Sequence, residues 1–295
     1  VVVEIVILGI QLSPRETRVR SSAASEVYKR HGLYKDLDDM SHQRPLGPIV
    51  FHRSGPMSCP YLDGLVEQQL FMELGGPNAQ ETFEHLSLYG FRRSHHIVYR
   101  PTCNACQSCI PVRIRVADFQ SKRRYRKIWN RNADLTQEDV GQKATEEQYK
   151  LFSRYVKSRH GDGDMAGMSI RDYSNLVVAS PVDTGLLEWR TPSGYLMATC
   201  ITDRLGDGYS AVYSFFDPTE ERRSLGVFMI LSLIELAIKA DKPFVYLGFW
   251  VPGSPKMDYK ASFEPIEGFY RGAWSEIRDK ESWGPVTTSP CGKTL

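Results

Sequence analysis

Residues 225–250 read LGVFMILSLIELAIKADKPFVYLGFW, and their reading decides the fold. Val227, Leu231, Ile234 and Ile238 recur at helical spacing, which predicts a helix with an apolar face. KPFVYLGFW follows as a fully apolar strand. Upstream, GLLEWR (185–190), YLMATCITDRL (195–205) and YSAVYSFFD (209–217) read as strands. TPSG and GDG join them, and both are good hairpin signals. The order is an antiparallel meander, then a helix, then a strand. It predicts an α+β domain.

Further upstream the pattern is more mixed. TEEQYKLFSRYVKSRH (145–160) predicts a helix with a Thr145/Gln148 capping box and Tyr149, Phe152, Tyr155 and Val156 on one face. SIRDYSNLVV opens another helix, with Ser169 as its cap, and HGDGDMAGMS between the two reads as a loop. TFEHLSLYGF has helical spacing at Phe83 and Leu86, closed by Gly90. HHIVYRP alternates like a strand that Pro101 stops. IPVRIRVADF alternates too, with Ile110, Val112, Ile114 and Val116 facing inward and Arg113 and Arg115 outward. SKRRYRKIWNRNADL predicts a basic helix capped by Ser121. The expected division is an N-terminal extension or mis-called start over 1–39, a cysteine-containing domain over 40–140, an α+β domain over 141–275 and a tail over 276–295.

Composition narrows the class. The chain has 295 residues, 41% hydrophobic and 24% charged, with a formal net charge of +2. That suits a globular protein with a real core and announces no nucleic-acid binder. The charge is uneven, however: Phe91 to Arg131 holds eleven Lys/Arg and one acid, Asp118. Such a block is either a solvated basic face or a polyanion-binding one. No apolar run approaches the ~20 residues of a membrane span. VVVEIVILGI at the start lacks the flanks of a signal peptide. Six cysteines are too few for a disulfide scaffold, so a reducing, cytoplasmic setting is expected.

Three stretches carry chemistry. YRPTCNACQSCIPVRIRV (99–116) spaces Cys103, Cys106 and Cys109 two residues apart. Thiolates so placed can share a metal, and a four-ligand zinc or iron–sulfur site takes a fourth from elsewhere. Cys59 is the natural candidate, followed by His95 and His96. A dithiol redox pair and three ligand-free thiols are the alternatives. RRSLG (222–226) precedes the apolar helix, where free backbone N–H groups beside Arg222 and Arg223 suit a phosphate, unless Ser224 simply caps the helix. GSPKMDYKASF (253–263) places Lys256, Tyr259 and Lys260 in a loop beyond a strand end, a common functional location.

Four stretches together carry a resemblance: GFRRS (90–94), YRPTCNACQSCIPVRI (99–114), SFFDP…RSLG (214–226) and YLGFWVPGSPKMDYKASFEP (246–265). In this order and spacing the chain resembles the aminoacyl-tRNA–protein transferases, over about 55 to 275. These comprise the eukaryotic arginyltransferases and, more similar here, the bacterial aspartate/glutamate leucyltransferases. The resemblance implies a GNAT-like acyltransferase domain and a cytoplasmic enzyme of the N-degron pathway. It would move leucine from Leu-tRNA to the N-terminal α-amine of proteins beginning with Asp or Glu. It implies Lys256, Tyr259 and Lys260 near the tRNA 3′ end and Asp217 as an orienter of the amine. The acid-reading cation would be Arg92 or Arg93, since arginine grips a carboxylate with two hydrogen bonds. Arg113, Arg115, Lys122, Arg123, Arg124, Arg126 and Lys127, with Arg222 and Arg223, would face tRNA phosphates. An aminoacyl ester is already activated, so no cofactor is required for the chemistry; zinc or an iron–sulfur cluster at the cysteines stays open.

The chain departs from the arginyl branch, which carries adjacent cysteines where this one has CNACQSC. Arginine from Arg-tRNA is the sister activity. A GNAT enzyme using acyl-CoA would want a richer glycine loop than RRSLGV. A non-enzymatic zinc module binding nucleic acid would leave the second half without a purpose.

Overall fold

An eight-stranded sheet carries most of the core. The computed structural model describes residues 2–3, 49–159, 164–280 and 283. The chain divides into two units, Val1–His52 and Arg53–Leu295. In the first, β1 (Val2–Val3) pairs antiparallel with the start of β2 (Phe51–Arg53). Nearly all of the expected extension over 1–39, and most of the tail from 276, lies outside the described residues.

The second unit opens with a hairpin, β3 (Met57–Ser58) and β4 (Val66–Glu67), followed by β5 (Gln69–Glu73) and α1 (Ala79–Leu88). Next come β6 (Arg92–Ser94), β7 (Ile97–Pro101) and β8 (Ile110–Arg115). Then follow α2 (Arg123–Arg131), β9 (Thr136–Asp139), α3 (Glu146–Arg159) and α4 (Ile170–Val178). The meander is β10 (Thr184–Arg190), β11 (Leu196–Leu205) and β12 (Gly208–Phe216). It leads into α5 (Leu225–Lys239), β13 (Phe244–Trp250), β14 (Ile266–Tyr270) and β15 (Ala273–Glu276).

The α+β class is as the meander predicts. The large sheet runs β15-β14-β8-β13-β12-β11-β10-β9, while β7 pairs with β5 and β6 in a smaller layer. Among its described strand pairs only β12 and β13 run parallel, because α5 carries the chain back between them. Strands β8 and β9 come from before the expected boundary at 140/141, yet both belong to the large sheet. The loop CNACQSC therefore joins the small layer to a central strand of the large one.

Alternation along the meander splits the core into two. Leu187, Trp189, Met197, Ala198 and Cys200 pack with α5, while Leu186, Leu196, Ile201 and Phe215 pack with α3 and α4. The caps predicted from sequence form. Thr145 and Gln148 exchange bonds of 2.7 and 3.3 Å, and Ser169 caps α4 with Asp172 reciprocating.

Three local expectations are corrected. Helix α5 is buried on most sides, from Leu225 to Ala237, and Ile238 of the expected apolar face is 53% exposed. Ser121 does not cap α2; the helix begins after Lys122 with no side-chain cap, and the Ser121 carbonyl instead accepts from Arg126. Arg113 is not an outward residue. Side chains of nearby strands, Phe244, Glu267 and Trp274, enclose its guanidinium.

Candidate active site

Strands β12 and β13 start as neighbours and then part. Their pairing runs from Gly208↔Phe244 to Ser210↔Tyr246 and stops, although β12 continues to Phe216 and β13 to Trp250. Gly248 adds a kink just beyond: its φ is 76°, and the register with β8 slips between Tyr246 and Gly248. An L side chain rarely adopts that backbone, which explains glycine inside an otherwise apolar strand. On both strands past the parting point lies a buried polar group without a partner among the described residues, the Tyr213 hydroxyl on β12 and the Trp250 indole nitrogen on β13. Each is costly unless something else satisfies it. Neither stands out in the sequence, since both look like ordinary aromatic core.

Beside Gly248 sits Lys260. It belongs to a short helical turn, Asp258–Ser262, and is 8% exposed. Its Nζ donates 2.7 Å to the Phe249 carbonyl, and a Cβ on Gly248 would lie 3.8 Å from it. Burial, then the nearby Arg92 charge, lowers its pKa to about 7, with Cys109 opposing. Arg92 on β6 is 4% exposed, with its guanidinium carbon 4.9 Å from the centre of the Tyr246 ring. Among the described residues its only hydrogen bonds are long ones to carbonyls, 3.3 Å to Phe91 and 3.4 Å to Val112, and its Nε has none. Burial lowers it to about 10. Buried cations are normally paired. Among the described residues neither Arg92 nor Lys260 has a carboxylate partner.

Arg93 differs completely. Its Nε and Nη2 grip Asp203 at 2.7 and 2.6 Å, Nη2 also reaches Thr184 at 3.3 Å, and Nη1 donates to the His95 carbonyl. Arginine and aspartate are both fully buried. This guanidinium is saturated, so Arg93 ties β6 to β11 and is removed as a reader of substrate acid. Asp217 is also committed, accepting from Tyr195, from the Thr219 hydroxyl at 2.7 Å and from Arg154 at 3.4 Å. Burial works against its ionisation, but these bonds outweigh it and hold the carboxyl below its usual range. It locks the turn after β12 rather than orienting an amine. Lys256 and Tyr259 are exposed on the loop that carries Lys260, and Tyr155 and Cys200 lie within electrostatic reach of Tyr259.

The basic set also divides. Arg113 pairs with Glu267 at 2.7 Å, with its guanidinium carbon 3.5 Å from the Phe244 ring centre and 4.3 Å from that of Trp274. It is structural and leaves the expected tRNA face. Arg115 is held by Asp118, Glu267 and Glu276, Arg223 by Asp134, and Lys122 by Glu264. Arg123, Arg124, Arg126 and Lys127 are exposed on α2 and Arg222 lies beside α5; among the described residues none of them has an ion pair. Ser224 does not cap α5: it has φ 53° and no side-chain cap bond.

The cysteines draw together without forming a ligand set. Burial raises the Cys109 thiol above its ordinary value, and Cys103, Cys59 and Cys106 add to the shift, so all four lie within electrostatic reach. Yet Cys103 donates to the Gln68 carbonyl and Cys106 to Ser108. Among the described residues, no three His, Cys, Asp or Glu side chains are grouped to hold a metal ion. A zinc thiolate site needs its sulfurs about 2.3 Å from one common point. As placed, the four thiols do not fit the expected metal.

Comparison with known proteins bears on most of the chain. Sequence profiles described as "Arginine-tRNA-protein transferase", N terminus and C terminus, match residues 57–127 and 147–270. Proteins named aspartate/glutamate leucyltransferase from Granulibacter bethesdensis and Paramagnetospirillum magneticum are each 47% identical, over 81% of this chain and 90% and 98% of theirs. One from Gluconacetobacter diazotrophicus is 44% identical over 82% of this chain and 93% of its own. Among solved structures, FemX aligns over 70% of this chain at 10% identity with a TM-score of 0.42, too weak a likeness to bear on mechanism.

Proposed function

The chain belongs to the arginine-tRNA–protein transferase family, and from that premise we propose that it transfers leucine from Leu-tRNA to the N-terminal α-amine of proteins beginning with Asp or Glu. The single observation that carries the acceptor side is the pair of buried cations, Arg92 and Lys260, that have no carboxylate partner among the described residues where β12 and β13 part. The side chain of an N-terminal Asp or Glu is the missing anion. Arg92 offers it two donors, and Lys260 adds a second positive charge. In this reading Lys260 serves acceptor binding as much as the reaction for which the sequence proposed it.

The same cations help the chemistry. An α-ammonium has a pKa of roughly 7.7–8.0, and a positive surrounding disfavours it, so the amine enters more often as a neutral nucleophile. The amine nitrogen attacks the ester carbonyl, the amide C–N bond forms and the ester C–O bond breaks. Of the two protons the ammonium sheds, one goes to the leaving ribose oxygen and one to solvent. Tyr213 and Trp250 supply hydrogen-bond donors on the parted strands, where the ester would lie. Catalysis is mainly placement and stabilisation of the developing oxyanion. Lys256 and Tyr259 face the incoming tRNA end, and the exposed cations of α2 with Arg222 meet its phosphates. Such an enzyme would work in the cytoplasm, marking acceptors for N-degron degradation.

The test is transfer to Asp-, Glu- and Ala-starting peptides from labelled Leu-tRNA and Arg-tRNA. Leucine transfer is expected, fast to the Asp and Glu peptides and much slower to the Ala peptide. Arginine transfer alone moves the protein to the sister activity, and no transfer from either donor refutes the reading.

A further inference from the structure

Helix α2 is unusual in carrying Arg123, Arg124, Arg126, Lys127 and Arg131 with no acid, while also presenting Trp129 at 38% exposure. The indole rests one side on Phe228 in the first turn of α5, with ring centres 5.6 Å apart at 52°. Arg126 lies three residues earlier, hence beside it on the helix surface. None of the five α2 cations, nor Arg222, has an ion pair among the described residues.

The platform is held firmly. The Asn132 side chain donates 2.9 Å to the Arg223 carbonyl, Arg131 donates to the Arg222 carbonyl, and Arg223 pairs with Asp134 at 2.8 Å. These bonds tie the end of α2 to the start of α5. That first turn in turn meets the end of β12: a Cβ on Gly226 would lie 3.3 Å from the Phe216 ring. Trp129 is thereby anchored to the turn that follows β12.

We propose that Trp129 is a stacking platform for an unpaired base at the 3′ end of the charged tRNA. This rests on the transferase reading above. An exposed ring among uncompensated cations fits a ligand that is both polyanionic and rich in flat faces, which is single-stranded nucleic acid. An apolar protein partner would leave the cations uncompensated. Trp129 is thus a positioning residue: stacking fixes the end of the tRNA while α2 holds its phosphates.

The experiment measures binding of a tRNA minihelix, with its unpaired 3′ end either intact or stripped of its terminal bases, to the full chain and its variants. Trp129→Leu keeps the apolar packing on Phe228 but removes the aromatic face; it should weaken the intact minihelix about tenfold. Removing the bases should weaken wild type similarly, and the two losses should not multiply. Trp129→Phe should retain most of the binding. The salt slope should be unchanged in Trp129→Leu, because stacking releases no counterions, yet fall by about one in Arg126→Ala. Trp129→Leu binding like wild type, or two losses that multiply, overturns the proposal while leaving the transferase reading intact. A wild-type chain that binds no minihelix and transfers nothing overturns that reading and this one together.

Discussion

The interior around β6, β8 and β13 and the surface of α2 are both rich in cations, yet they use them in opposite ways. Inside, Arg93 and Arg113 each grip a buried carboxylate, Asp203 and Glu267. Arg92 and Lys260, equally buried, have none among the described residues. On α2 the cations face water, where lacking a partner costs little. A missing counter-ion is therefore informative only where solvent cannot replace it.

Arg92 and Arg93, neighbours in the chain, should respond oppositely to removal of their charge. Arg93→Met strands Asp203 in the core and should destabilise the fold by about 3–5 kcal/mol, seen as a lower denaturant midpoint. Arg92→Met should not, because it removes an uncompensated charge. It should instead cut transfer to Asp and Glu peptides about 10²-fold, with a much smaller loss on an Ala-starting peptide. A large stability loss in Arg92→Met with acid preference intact would erase the distinction between the two.

Lys260 gives a pH signature. Its pKa is about 7 in the free protein, so it loses its charge as pH rises through that value. A bound carboxylate would restore the proton. Acid binding then takes up a proton above pH 7, and KM for an Asp peptide should climb from about pH 7 to 9, approaching tenfold per unit at most. The Ala-starting peptide shares the amine titration and serves as the control. In Lys260→Met the climb should vanish. A wild-type KM that is flat over this range removes Lys260 from acid recognition.

The smallest effects belong to the surface. Lys127→Ala should weaken tRNA binding modestly and lower the salt slope by about one, whereas Arg113→Ala should act on stability and leave the slope unchanged. A slope change in Arg113→Ala would return that residue to the tRNA face.

Much of this is legible in the residues. The meander, the apolar helix and the final strand follow from periodicity, and the caps at Thr145 and Ser169 from local hydrogen-bonding chemistry, because both act over a few residues. The basic helix over 123–131 reads the same way. Strands β14 and β15 escape such a reading, and β9 with them: its four exposed residues carry no alternation. GFRRS points to two arginines but cannot rank them. Asp203 lies 110 residues from Arg93, and only folding brings the pair together and leaves Arg92 without a carboxylate. Alternation along β8 correctly places Ile110, Val112 and Ile114 in the core, yet it cannot reveal that β13 and β14 also bury Arg113.

By itself the sequence determined the kinds of element, their order and the residue types able to read an acid or meet a phosphate, because period, capping and charge are local properties. Tertiary structure alone decided which cations are spent on the fold and which are left for a ligand. A charge's availability depends on its counter-ion and on its distance from water, and both are set by contacts between residues far apart in the chain.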